Sequence, residues 1–218
     1  MIKEQLVITF IGMGLIVSPV SIAKCYQESR VDPTIYSTPP ICVTSVYEQR
    51  IDYRLYMNDE INALDKSDRK QWYLNYKSIQ EKYKEHCPID ETKSIHSVTT
   101  SAEFDLLARL VEAEIGGGDF NAKCNVASTI INRYRMYAPT TWHNVVYEKN
   151  QYTPIWDGRC KKAIASEDSK LALEYVYEIG DTTNGAIYFH SGRSRWHETA
   201  SKIQFTMKDN WHKFYRLK

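Results

Sequence analysis

The sequence predicts a mostly helical α+β fold closed by a small antiparallel sheet. Three observations predict it. Apolar residues recur at helical spacing in the stretches that begin near Thr100, Asp119 and Ser166. The C-terminal stretches "GAIYFHS", "KIQFTM" and "HKFYRL" are short and rich in β-branched and aromatic residues, as strands are. No repeat or low-complexity tract breaks the chain. Composition agrees: 218 residues, 43% hydrophobic and 25% charged, allow one cored domain plus something smaller. A net charge of +1 offers no basic field, so no nucleic-acid partner is expected.

The first segment carries Lys3 and then "LVITFIGMGLIVSPVSIA", residues 6–23, without a charge. A basic start, an apolar centre and small residues at Ser21 and Ala23 read as an export signal cut after Ala23. The rival reading is an uncleaved membrane anchor, although the run is near the lower limit for a span and Pro19 interrupts its end. Both place the protein in the periplasm, the cell wall or outside the cell, with membrane contact only if the segment stays. Lys24 precedes Cys25 where a lipoprotein would want a small residue. Export permits disulfides among Cys25, Cys42, Cys87, Cys124 and Cys160. Pairing Cys42 with Cys87 and Cys124 with Cys160 is one of several possibilities. No pair has CxxC spacing, and neither metal nor cofactor is expected.

Residues 24–98 form a polar, Tyr-rich region. Proline bounds an extended opening, "VDPTIYSTPP". Then residues 58–87 read as a helix with the stripe Ile61, Leu64, Trp72, Tyr76, Ile79 and Tyr83, ended by Pro88. No chemistry is legible in this helical accessory region.

Residues 99–218 are more strongly patterned. "TTSAEFDLLARLVEAEI" starts with hydroxyl caps and becomes periodic. "DFNAKCNVASTIINRYR" is a second helix capped by Asp119. A long loop, "APTTWHNVVYEKNQYTPIWDGRC", holds a short apolar run. "SEDSKLALEYVYEIGD" is a third helix, capped by Ser166, acidic in its first turn and stopped at Gly180. A strand and a hairpin turning at "KDNW" complete the domain.

The end of the first of these helices is unusual. On a helical wheel with Leu107 at zero, Phe104, Val111 and Ile115 fall between roughly 40° and 80°, with Leu110 near 300°. Asp105, Arg109 and Glu112 cluster between roughly 140° and 200°, which makes Glu112 a surface acid. Glu114 lands near 340°, inside the apolar arc. A buried acid needs compensation. It can pair with a cation, accept backbone amides in the following "GGG" turn, or line a cleft with a raised pKa, as a general acid does. Gly116 can end the helix in the left-handed conformation. The three glycines read as clearance for something approaching the acid.

"DLLARLVEAEIGGGDFNAKCNVASTIINRYR", "NVVYEKNQYTPIWDGR" and "NGAIYFHS", in that order, resemble the SleB-type cell wall hydrolases, whose founding members are spore cortex-lytic enzymes. The resemblance covers about residues 104–216. It implies a lysozyme-like fold with a substrate groove, and lytic cleavage of peptidoglycan glycan strands between N-acetylmuramic acid and N-acetylglucosamine. It places the family's single catalytic glutamate at Glu114. Gln151 and Tyr152 match the family's Gln–aromatic step, and Asp157 with Gly158 its Asp–Gly turn, so Gln151, Tyr152 and Asp157 are candidate substrate-binding residues. Among the aromatics, Tyr152, Trp156, Tyr188 and Trp196 can stack on sugar rings or pack in the core. The family's second acid, four residues after the glutamate, is Gly118 here.

One acid suffices when the sugar's own groups complete the reaction, giving a 1,6-anhydromuramoyl end. Hydrolysis instead requires a water-activating base, for which Asp119, Asp157 and Glu198 are candidates. Two other readings differ in class. A metal-dependent amidase or peptidase could draw on His190, His197 and His212, but their spacing fits no ligand pair, and scattered surface or packing histidines explain them better. A non-enzymatic wall-binding protein would have no need of Glu114. The expected assembly is a monomer.

Overall fold

The computed structural model describes residues 53–191 and 201–218, all within one compact unit, Asp52–Lys218. The signal or anchor segment, Cys25, Cys42, Trp196, His197 and Glu198 lie outside the described residues. Among the described residues no helix is long and apolar enough to cross a membrane.

The predicted single helix over 58–87 is two, α1 (Tyr53–Ala63) and α2 (Arg69–Tyr83). Asp68 causes the break: its side chain accepts from the Gln71 backbone and starts α2 afresh. Two short 3-10 turns lead to α3 (Ser101–Ile115). Thr100 and Glu103 close a capping box at its start. Helix α4 (Phe120–Met136) is capped by Asp119 as the sequence predicts. The predicted long loop contains three short helices, α5 (Trp142–Val146), α6 (Thr153–Trp156) and α7 (Arg159–Lys162). Helix α8 (Glu167–Glu178) is capped by Ser166, and Gly180 follows it at φ +136°.

Strands β1 (Tyr188–Ser191), β2 (Ile203–Lys208) and β3 (His212–Leu217) form an antiparallel sheet in the order β1-β3-β2. The predicted strand and hairpin are both present. The core lies among α3, α4 and α8, with Leu107, Leu110, Val111, Ile130, Ile131 and Leu173 fully buried.

Helix α2 packs on this core. Tyr73 is completely buried, its ring edge-on to Tyr175 at 5.2 Å and its hydroxyl donating to Glu178 at 2.5 Å. The tyrosines of the polar region therefore serve, in part, to seat it on α8.

Two expectations from the sequence fail here. Cys124 and Cys160 are buried free thiols, not a disulfide. Cys124 sits beside Arg69 of α2, while Cys160 sits near Arg109 and Glu114 of α3, so the two face different neighbours. Gly116 has φ −50°, the ordinary helical value, and no left-handed cap forms. Glycine is needed for space instead. A Cβ on Gly116 would lie 2.7 Å from a Glu112 carboxylate oxygen, and one on Gly118 2.6 Å from Ile115 Cγ1. The clearance serves the chain's own side chains.

Candidate active site

The wheel puts Glu114 inward, and the last turn of α3 delivers it to the wall of a cavity of about 570 Å³. Asn150, Gln151, Tyr152, Thr153 and Arg159 line it as well. Residues 187–191 of the β1 segment and His212 of β3 complete the lining. Of the three outcomes open to a buried acid, the third is realised. Burial pushes the Glu114 carboxyl up to about 7, Arg159 opposes the rise and Asp157 adds to it. An acid with that pKa keeps a transferable proton at neutral pH.

The sequence reading does not single out Arg159, although it stands in the quoted "DGR". Gly158 at φ +80° makes the left-handed turn that presents it. Asp157 holds it at 2.8 Å through Nε, and its Nη1 donates to the Ala113 carbonyl at 3.1 Å. Those bonds tie the guanidinium to the end of α3, one residue before Glu114. Asp157 itself is off the cavity lining. The Arg159 backbone N–H and guanidinium hold its carboxyl below the usual range, so its visible work is to orient Arg159.

The remaining candidates separate. Gln151 and Tyr188 are on the wall. Tyr188 also carries the Arg133 guanidinium 5.4 Å above its ring. Arg133 pairs with Glu148 and donates to the Ile187 carbonyl, joining the 148–153 segment to β1 across α4. Tyr152 borders the cavity, but only 2% of it is exposed. A ring so enclosed has no free face for a sugar and packs as core. Trp156 is well exposed and off the lining. Asp119 is committed to its cap.

Glu112 is not a surface acid. Its carboxylate accepts from Lys123 Nζ at 2.9 Å, Ser166 Oγ at 2.5 Å and Ser169 Oγ at 2.6 Å. The first turn of α8 covers it, and Lys123 is itself buried. Although burial opposes it, this hydroxyl and ammonium cradle pulls the carboxyl down to about 2. Two acids separated by one residue thus carry opposite shifts.

Of the three histidines, His190 and His212 are buried, as packing histidines are, and His197 lies outside the described residues. Both line the cavity with Glu114, although the register pairs Ser191 with His212 and His190 with Lys213 and so sets them on opposite faces of the sheet. Among the described residues no group of three metal-ligating side chains gathers.

Residues 117–215 match the model of the family described as Cell Wall Hydrolase. This stretch is a cell wall hydrolase domain. The match begins at Gly117, just after Glu114, and contains every other cavity residue. No curated protein matches the chain. Two solved structures are similar to the domain. The catalytic domain of the germination-specific lytic transglycosylase SleB from Bacillus anthracis is 24% identical at a TM-score of 0.48, over 54% of this chain and 97% of that one. The catalytic domain of the Bacillus cereus SleB protein is 25% identical at a TM-score of 0.47, over 54% and 91%. Residues 117–215 thus match the cell wall hydrolase family, and together with Glu114 they line the cavity described above.

Proposed function

We propose that the protein cleaves peptidoglycan glycan strands between N-acetylmuramic acid and N-acetylglucosamine as a lytic transglycosylase, with Glu114 as the only acid and base. One observation carries this reading: Glu114 is the single carboxyl among the described residues that line the cavity. A glycosidase that uses water or a protein nucleophile ordinarily sets two carboxyl groups across the bond. With one, the substrate must supply the second group.

Glu114 gives its proton to the glycosidic oxygen as the C1–O bond breaks. The C6 hydroxyl of the muramoyl residue then bonds to C1, and the Glu114 carboxylate takes the hydroxyl proton. The acid is regenerated, no water is consumed, and a 1,6-anhydro end results. Arg159 limits the rise of the Glu114 pKa and offers a cation beside the carboxylate formed midway. Work on the wall requires export, for which residues 6–23 supply a signal or a tether.

Digestion of peptidoglycan in ¹⁸O-labelled water tests the chemistry. The released muropeptides are expected to carry anhydro ends without label. Reducing ends bearing one ¹⁸O atom would show hydrolysis instead.

A further inference from the structure

Arg159 is the one arginine or lysine among the described residues that line the cavity. It is held from one side. Nε donates to Asp157 Oδ2 at 2.8 Å and Nη1 to the Ala113 carbonyl at 3.1 Å, while Nη2 has no hydrogen-bond partner among the described residues. The side chain is 54% exposed, so a solute can reach it. Its charge acts on the Glu114 carboxyl, which puts cation and acid in one neighbourhood. The surrounding charge is positive. Helix α7 adds Lys161 and Lys162, both exposed and without an ion pair among the described residues. Asp157 is the only acid between residues 157 and 162, and Asp105 on α3 is taken by Arg109 at 2.8 Å. Arg159 is thus fixed in place with donors left over, at an open position beside the reacting group.

We propose that Arg159 is a substrate-binding residue that selects a carboxylate carried on the O3 side chain of the muramoyl residue held at Glu114. The proposal rests on the glycan-cleaving reading above. In such a strand N-acetylglucosamine is neutral, and only the muramoyl residue carries acid. Its lactyl group hangs from C3, two carbons from the C1 that Glu114 addresses. The lactyl group ends in a free carboxylate where the strand is bare, and in a stem peptide with its own carboxylates where it is not. Both present the same chemistry to Arg159. A guanidinium binds a carboxylate through charge-assisted hydrogen bonds, which are shorter and stronger than neutral ones. Lys161 and Lys162 add an attractive field that salt screens.

The test uses the full chain with Glu114→Gln, so that glycan is bound and not cut. The first probe pair is a peptide-free tetrasaccharide of alternating N-acetylglucosamine and N-acetylmuramic acid, and the same molecule with its lactyl carboxyls methyl-esterified. The second pair carries an alanyl-glutamate stem, again as acid and as ester. The acid is expected to bind about tenfold tighter than its ester, the effect of one hydrogen bond to a charged group at an open site. That preference should shrink as salt is raised. Arg159→Gln should abolish it by weakening the acid alone, and Arg159→Lys, which keeps the charge without the fork, should retain part of it. The comparison of acid with ester needs no Arg159 variant to fold.

Equal binding of acid and ester in both probe pairs would overturn the proposal. So would a preference that survives Arg159→Gln, or a Gln variant that weakens acid and ester alike, which marks a structural role. A preference confined to the second pair upholds the proposal and names the stem as the source of the carboxylate. If intact enzyme releases anhydro ends while acid and ester bind alike, only this proposal fails. If no probe binds and no glycan is cut, the functional reading fails with it.

Discussion

Glu114→Gln should abolish lysis of peptidoglycan and, at alkaline pH, stabilise the fold. The amide keeps size and shape but carries no transferable proton. Acid–base catalysis by one positioned group contributes roughly 10²–10⁴-fold. Here the same carboxyl performs both proton transfers, so a loss of at least about 10³-fold is expected in released muropeptide. The stability effect has the opposite sign. The unfolded carboxyl titrates near 4.5 and the folded one at about 7. Below the first value both states are protonated and the pH has no effect. As pH rises between them, the unfolded chain releases its proton while the folded chain retains it, so stability falls. Above about 7 the full penalty, about 3 kcal/mol, is present. Glu114→Gln removes it. Urea unfolding should show variant and wild type alike at pH 4, and the variant ahead at pH 8. Lytic activity of the wild type should decline through the same alkaline range, because the acid form is lost.

The second large effect lies two residues away. Lys123→Met leaves the partly buried Glu112 carboxylate at the start of α8 without its cation, which should cost about 2 kcal/mol in chemical denaturation at pH 7, the scale of one lost hydrogen bond to a charged group. Adding Glu112→Gln should restore much of that loss, since removing both charges is far milder than removing one. The pH dependence again fixes the sign. Glu112 is held at about 2 against 4.5 in the unfolded chain, so its contribution is complete above 4.5 and is lost as pH falls toward 2. Glu112 and Glu114 therefore oppose one another: one acid stabilises the helix end and the other burdens it. That burden is the usual cost of a catalytic group held away from water.

How much of this the sequence reveals depends on whether the determinant is local. Glu114 is legible because a helix wheel needs only its own helix, and the wheel puts the acid among Leu107, Leu110 and Ile115. The same wheel misreads Glu112. It assigns a direction but cannot know that Ser166 and Ser169 will cover that direction from a distant helix. The glycine turn shows the same limit. Three glycines announce a special backbone, yet Gly116 and Gly118 answer to Glu112 and Ile115, not to φ or to a ligand. Asp68 was a readable helix start inside a periodic run, and the continuing stripe hid it.

The sheet's share of the cavity is the least legible part. His190 and His212 both line it from adjacent strands whose register no spacing rule gives. Tyr152 fails differently. Its loop matches the family pattern, so the position was readable, but its burial was not.

Burial raises the Glu114 carboxyl so far that about half of it still holds its proton at neutral pH. Titration of its side-chain carboxyl by ¹³C NMR in the intact protein tests that directly. A midpoint about 7, absent from the Glu114→Gln spectrum, is expected. A midpoint at the ordinary glutamate value, about 4.5, would contradict it.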